Sequence, residues 1–106
     1  MNLISCEELK KKMDLHEEFK LVNAMAEAQF LAAHIPGSLN ICEAEDIEKM
    51  LAHNDEIIVY CSDEACNKSI ILYQRLDEYG YKKKYRFAGG LRAWQEAGYD
   101  LEGDMV

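Results

Sequence analysis

Residues 56–79 read EIIVYCSDEACNKSIILYQRLDEY. Ile57, Ile58, Val59 and Tyr60 are four apolar β-formers in a row, the pattern of a strand covered on both faces. Cys61 follows directly, and a short polar loop runs from Ser62 to Asn67. The next segment, from near Ser69, is an amphipathic helix with Ile70, Ile71, Leu72, Leu76 and Tyr79 in its repeat. Gly80 then serves as its C′ residue. A thiol at the carboxyl end of a buried strand, facing the start of the following helix, sits where open α/β sheets place ligands. The helix start offers unpaired N–H groups and partial positive charge, which favour thiolate over thiol. Such a cysteine titrates at roughly 3.5–7.5 rather than about 8.5. Position therefore makes Cys61 the candidate nucleophile.

The chain has 106 residues. That is the size of one domain, since typical domains run about 100–150 residues. A hydrophobic share of 49% supplies a core without disulfides or metals. The net charge of −8 excludes the basic face that a nucleic-acid or anionic-membrane partner needs. MNLISCEEL at the start lacks the basic and apolar regions of a signal peptide, and no apolar run approaches the roughly 20 residues of a membrane span. The expected location is the cytoplasm, where the cysteines rest reduced. Cys6, Cys42, Cys61 and Cys66 are spaced by 36, 19 and 5 positions, which is not the paired C-x-x-C pattern of zinc sites. No metal or cofactor is expected.

Outward from the central stretch, strand and helix patterns alternate. Leu3-Ile4 reads as a short strand, and Ser5 with Glu8 as a capping box opening a helix through Met13. Phe19–Asn23 fit a strand. Ala24–Ala33 suggest a helix with Phe30 and Leu31 buried, which His34-Ile35-Pro36-Gly37-Ser38 breaks. Leu39 and Ile41 alternate as a strand, and Ile47, Met50 and Leu51 sit at helical spacing. Lys82-Lys83-Lys84 reads as a solvated connection. Tyr85–Phe87 form a last strand, and Leu91–Ala97 a helix with Trp94 inward, stopped by Gly98. The alternation predicts an α/β domain spanning residues 1–106 with a mainly parallel sheet.

Four segments together carry a more specific pattern: Ile4-Ser5 with Glu8-Leu9, AHIPGSLNI at 33–41, IIVYC at 57–61 with its loop and helix, and FAGGLRAWQEAGYDLEG at 87–103. In this order they resemble the rhodanese-like family of single-domain sulfurtransferases. The resemblance implies an open, mostly parallel five-stranded sheet flanked by helices on both faces. It also implies a nucleophile at Cys61 that carries sulfane sulfur as a persulfide. The expected partners are a small sulfur donor and a thiol acceptor or sulfur-carrier protein, with the chain a monomer. The loop Ser62, Asp63, Glu64, Ala65, Cys66, Asn67, Lys68 and Ser69 is then the substrate-binding cradle, whose backbone N–H groups stabilise the charged sulfur.

Three features depart from the family pattern. Lys68 and Ser69 stand seven and eight positions after Cys61, two further than the usual basic residue and serine. Asp63 and Glu64 oppose an anionic donor and raise the pKa of a nearby thiolate. Asn23 and Met25 stand where the family often has an Asp–Arg pair. Cys66 makes the loop similar to a Cys-x4-Cys variant of the family. It reads either as a resolving thiol that closes a disulfide on Cys61 or as a small residue packed under the loop. Disulfide closure requires Cα atoms within about 7 Å.

The other candidates read as structure: His34 as a turn residue, His16 and His53 in polar connections, Cys6 on a first helical turn, Cys42 at a strand or loop end, Trp94 as a core anchor. Phosphatase-type chemistry on this scaffold needs an Arg to clamp the oxyanion, and none stands between Cys61 and Arg75. The alternative from another class is a non-catalytic module that binds a partner protein or senses redox state through Cys61 and Cys66.

Overall fold

The computed structural model describes residues 1–106. Four strands, β1 (Lys20–Asn23), β2 (Leu39–Asn40), β3 (Ile57–Tyr60) and β4 (Lys84–Phe87), form one sheet in the order β2-β1-β3-β4. All three pairings are parallel, with β3 central between β1 and β4. The helices are α1 (Cys6–Asp14), α2 (Glu27–Ala32), α3 (Ile47–Met50, after a 3-10 turn at Ala44–Asp46), α4 (Lys68–Glu78) and α5 (Gly90–Glu96). None is long and apolar enough to cross a membrane.

The continuous apolar run of β3 is explained by two cores. Ile57 and Val59 point into one, with Leu72 and Leu76 of α4 and Ile47 of α3. Ile58 and Tyr60 point into the other, with Leu9 of α1 and Trp94 of α5. Helices therefore cover both faces, and every residue of β3 is buried. The capping box of α1 forms as expected: Glu8 N–H donates to Ser5 Oγ at 3.1 Å, and Ser5 N–H to Glu8 Oε1 at 3.0 Å.

Five expectations change. The five-stranded sheet has four strands; where a fifth was expected, Leu3 forms a single parallel bridge to Arg86. Ile4 N–H donates to Arg86 O (3.0 Å) and Arg86 N–H to Asn2 O (2.8 Å), but Ser5 caps α1 immediately afterwards, so the ladder cannot extend. Helix α2 is only six residues long and buries none of them; Leu31 is 48% exposed. In α4 the inward positions are Ser69, Leu72, Tyr73 and Leu76, whereas Ile71 and Tyr79 face out. Met50 is likewise exposed. Lys84 is not solvated: its Nζ donates to Asp77 Oδ1 (2.8 Å) and Tyr81 O (2.9 Å) beneath the end of α4. A long aliphatic stem lets a lysine lie along a core surface while its head finds acceptors.

Candidate functional site

The chain leaving β1 turns toward β2, whereas that leaving β3 turns toward β4 on the other side. The carboxyl ends of β1 and β3 are thus the switch point of the sheet, where loops part and leave a crevice. Cys61, the residue after β3, stands there and is only 2% exposed. By strand alternation its side chain shares a face with Ile57 and Val59, the face that α4 covers.

Helix α5 holds the loop in place. Leu91 N–H donates to Cys61 O and Arg92 N–H to Ser62 O, each at 2.9 Å. The first turn of α5 thereby draws the loop's opening carbonyls away from α4. The amides of Ser62, Asp63, Glu64, Asn67, Lys68 and Ser69 donate to no group of the chain. Within the loop, Asp63 Oδ1 accepts from Ala65 N–H at 3.0 Å, and Cys66 N–H donates to Asp63 O at 3.2 Å. The Asp63 carboxylate therefore braces a turn rather than standing free, while Glu64 is exposed. Gly90 permits the close approach of α5: its φ is +63°, and a Cβ there would lie 2.5 Å from Cys61 O.

The two helix starts differ in a telling way. Helix α1 has its capping box and Glu7 and Glu8 in the first turn, whereas α4 has no side-chain cap at Asn67 and no acidic residue in its first turn. A cap contributes about 1 kcal/mol and a first-turn acid about 0.3–1 kcal/mol. Helix α4 forgoes both at the end that faces the cysteine loop, as α5 does at its own start.

Cys61 and Cys66 are joined as a disulfide with Cα atoms 6.4 Å apart. Cys66 is half-buried rather than packed under the loop, so the disulfide is open to solvent on the Cys66 side. Ser62 Oγ lies 3.9 Å from Cys61 Sγ. Ser69 is fully buried and accepts from Arg86 Nε at 2.9 Å; Lys68 is exposed beside it. The sequence reading missed Arg86. It is 8% exposed and has no carboxylate within ion-pair distance. It lies on β4 opposite Val59, on the face of Cys61. Nothing in the alternation of KYRF distinguishes it from a solvent-facing arginine.

The residue before the cysteine ties in the HIPG segment. Tyr60 OH accepts from Ile35 N–H at 3.0 Å and shares a 2.9 Å bond with Ser38 Oγ, which donates to Ile35 O at 2.7 Å. Burial pushes the Tyr60 phenol above its ordinary pKa, although bonds to Ser38, Asn23 and Ile35 work the other way. On β1, Met25 N–H donates to Asn23 Oδ1 at 2.7 Å and Asn23 Nδ2 lies 3.4 Å from Met25 Sδ. A neutral contact thus stands where the family pattern places an ion pair. His34 bonds Phe30 O through Nδ1 (2.8 Å) and stacks on the Phe30 ring, and its backbone forms an antiparallel bridge with Glu102, so it stands before the turn at Pro36–Gly37 rather than in it. Trp94 is buried with its Nε1–H on Asp100 O (2.8 Å). Cys6 and Cys42 are free thiols, Cys42 exposed. No three His, Cys, Asp or Glu side chains are grouped to hold a metal ion.

A doubly covered parallel sheet with a loop-held cysteine at its switch point defines an α/β domain built around one thiol. The rhodanese-like domain matches residues 5–97, and the chain belongs to that family. It is 30% identical over 93 residues to a Bacillus subtilis protein named "Putative sulfur carrier protein YrkF". That match covers 86% of this chain and 49% of the relative, so the chain spans about half the relative's length. The rhodanese-like domain of the Anabaena protein Alr3790 has the same fold, with a TM-score of 0.88 at 20% identity over 99% of this chain and 81% of that one. A thiosulfate sulfurtransferase from Pseudomonas aeruginosa superposes with a TM-score of 0.83 at 24% identity, over 97% of this chain and 20% of that one. These two likenesses are of fold.

Proposed function

We propose that the chain is a sulfurtransferase domain that carries sulfane sulfur as a persulfide on Cys61. The observation that carries this reading is the setting of that thiol: a buried cysteine at the switch point, followed by a loop whose Ser62, Asp63, Glu64 and Asn67 amides have no partner in the chain, ahead of the uncapped start of α4. Unpartnered N–H groups and the positive pole of α4 stabilise an anionic sulfur there without a general base, against the opposing charges of Asp63 and Glu64. Family membership and the name of the Bacillus subtilis relative support the same class of activity.

The reaction starts from the dithiol form. The Cys61 thiolate attacks the outer sulfur of a donor such as thiosulfate, whose S–S bond breaks as sulfite leaves with the electron pair. An acceptor thiolate then attacks the outer sulfur of the persulfide, and Cys61 departs as thiolate. Cys66 offers a second exit: its thiolate attacks Cys61 Sγ, expels hydrosulfide and leaves the disulfide. A reducing thiol meets that disulfide at the half-buried Cys66 sulfur, and Cys61, the better-stabilised thiolate, is the leaving group.

Intact mass after incubation of the reduced protein with thiosulfate, or with a low-molecular-weight persulfide, tests this on wild type, Cys61→Ser and Cys66→Ser. The expected result is a gain of one sulfur that requires Cys61 and persists longer in Cys66→Ser. Full sulfur transfer by Cys61→Ser would end the proposal. The loop disulfide favours one second reading, a dithiol redox sensor. Loss of two hydrogens requiring both cysteines, with no sulfur gain from any donor, is the result that selects it.

A further inference from the structure

Two cations of the chain are buried, Lys84 and Arg86, and they are held differently. Lys84 Nζ has the Asp77 carboxylate at 2.8 Å, whereas Arg86 has no carboxylate within ion-pair distance. Arg86 Nε donates to Ser69 Oγ at 2.9 Å, while its two Nη nitrogens donate to no group of the chain and neither is sealed from solvent. A buried charge without a counter-charge is costly, and this chain has 20 carboxylates from which to supply one. Asp63, in the cysteine loop, turns its carboxylate to Ala65 N–H instead.

The register of the sheet places this guanidinium toward the cysteine. Arg86 is aligned with Val59 across the β3–β4 ladder, and both side chains lie on the α4 face. Cys61 is two residues beyond Val59 on the same face, so strand spacing and rise set the Cα atoms of Arg86 and Cys61 roughly 8 Å apart. Ser69, on which the guanidinium rests, is three positions after Cys66, the residue bonded to Cys61. In the disulfide Cys61 is neutral; opening the disulfide makes it an anion. We propose that Arg86 is the counter-ion of Cys61, a positioning residue whose charge is balanced when the disulfide opens and Cys61 becomes a thiolate. The inference rests on the persulfide reading in taking Cys61 as the working sulfur, and it adds the residue that keeps this sulfur ionised.

The opening step balances with dithiothreitol as reductant. One of its thiolates attacks Cys66 Sγ, the bond between the two Sγ atoms breaks, and Cys61 leaves with the electron pair. The second thiolate of the reductant then displaces Cys66, which takes a proton from solvent, and the reductant closes its own disulfide. The other charged groups around Cys61 are Asp63 and Glu64 in the loop, Lys68 on α4, Arg92 on α5, and Glu27 and Glu43 beyond β1 and β2. All but the half-buried Asp63 are exposed, where water and salt screen them. Acids outnumber bases among them, so together they oppose the thiolate. Arg86 is the one buried charge of the set.

The test measures the rate of Cys61 alkylation by iodoacetamide against pH, in a Cys6→Ser/Cys42→Ser/Cys66→Ser background that leaves a single thiol. A unit charge roughly 8 Å away, at an effective dielectric of about 20, moves a thiol by about 1–1.5 pH. Arg86→Gln, and Arg86→Met as a second variant should the first not fold, are therefore expected to raise the midpoint of the profile by about that much. Arg86→Lys keeps the charge without the fork, and Ser69→Ala keeps the charge without the bond; each is expected to stay within about 0.5 pH of the parent. With both loop cysteines restored, Arg86→Gln is expected to move the dithiothreitol equilibrium about tenfold toward the disulfide at pH 8. Midpoints unmoved in both Arg86→Gln and Arg86→Met overturn the assignment. So does a shift in Arg86→Lys or Ser69→Ala as large as that in Arg86→Gln, because the residue would then act through its bond to α4 and not through its charge. No sulfur donor enters either measurement, so this inference and the persulfide reading fail separately.

Discussion

Gly90→Ala is the substitution that most directly tests how the cysteine loop is held. Two costs arise at this position. The backbone φ of +63° is a left-handed conformation that costs a residue with a Cβ about 1–2 kcal/mol. The added Cβ would also lie 2.5 Å from Cys61 O, 3.0 Å from Ser62 C and 3.1 Å from Asp63 N. All three are backbone atoms, so no rotamer change relieves the clash and α5 must withdraw. Withdrawal breaks the bonds from Leu91 N–H to Cys61 O and from Arg92 N–H to Ser62 O, each contributing about 1 kcal/mol. The expected loss is about 3–4 kcal/mol. Gly98→Ala is the control, because Gly98 has φ +83° but nothing within 4 Å of its would-be Cβ; strain alone predicts about 1–2 kcal/mol there. Urea denaturation of the disulfide-intact variants measures both, and iodoacetamide alkylation of the reduced variants measures the Cys61 thiolate. Gly90→Ala is expected to unfold at lower urea than Gly98→Ala and, alone of the two, to slow alkylation of Cys61 at neutral pH. Equal destabilisation by the two alanines, with Cys61 unaffected in both, would refute the role assigned to α5.

Two further substitutions test the supports of the site. Tyr60→Phe strands the buried Ile35 N–H without its acceptor, so a loss of about 1–3 kcal/mol at neutral pH is expected from thermal or urea unfolding. Burial raises the Tyr60 phenol above its usual 10.0. The folded chain therefore holds that proton more tightly, and this contribution is complete below the unfolded pKa and disappears as pH climbs through the folded one. Stability of wild type should fall beyond about pH 10 more steeply than that of Tyr60→Phe; parallel alkaline limbs would contradict the linkage. Ser69→Ala removes the acceptor of the buried Arg86 Nε and should cost about 2–3 kcal/mol by urea unfolding. A change below about 0.5 kcal/mol, the range of ordinary surface substitutions, would show that Arg86 does not depend on Ser69.

Much of the fold was legible because it is written in short-range patterns. The apolar run Ile57–Tyr60 marks a doubly covered strand, and Ser5 with Glu8 marks a helix start; both need only a few neighbouring residues to be read. Position of the thiol at a strand end was legible for the same reason. The errors lie where burial depends on distant partners. Leu31 looked like a core residue, but α2 is too short and peripheral to bury a face. Lys84 looked solvated in a run of three lysines, but Asp77 and Tyr81 lie over it. The Leu3-Ile4 strand is apolar enough, yet the helix cap beginning at Ser5 leaves it no length to pair.

The candidate site divides along the same line. By itself the sequence established that Cys61 ends a buried strand before a helix, that Cys66 is five positions on, and that the chain has the family's segments in order. Local order suffices for each, because each is a matter of spacing along one chain. Only the tertiary structure decided that Cys61 and Cys66 come within bonding reach, and that the first turn of α5 takes the carbonyls of Cys61 and Ser62. It alone placed Arg86 behind Ser69. These are meetings between residues far apart in the chain or turned toward each other by a loop. Backbone direction and packing, rather than residue type, determine which of them occur.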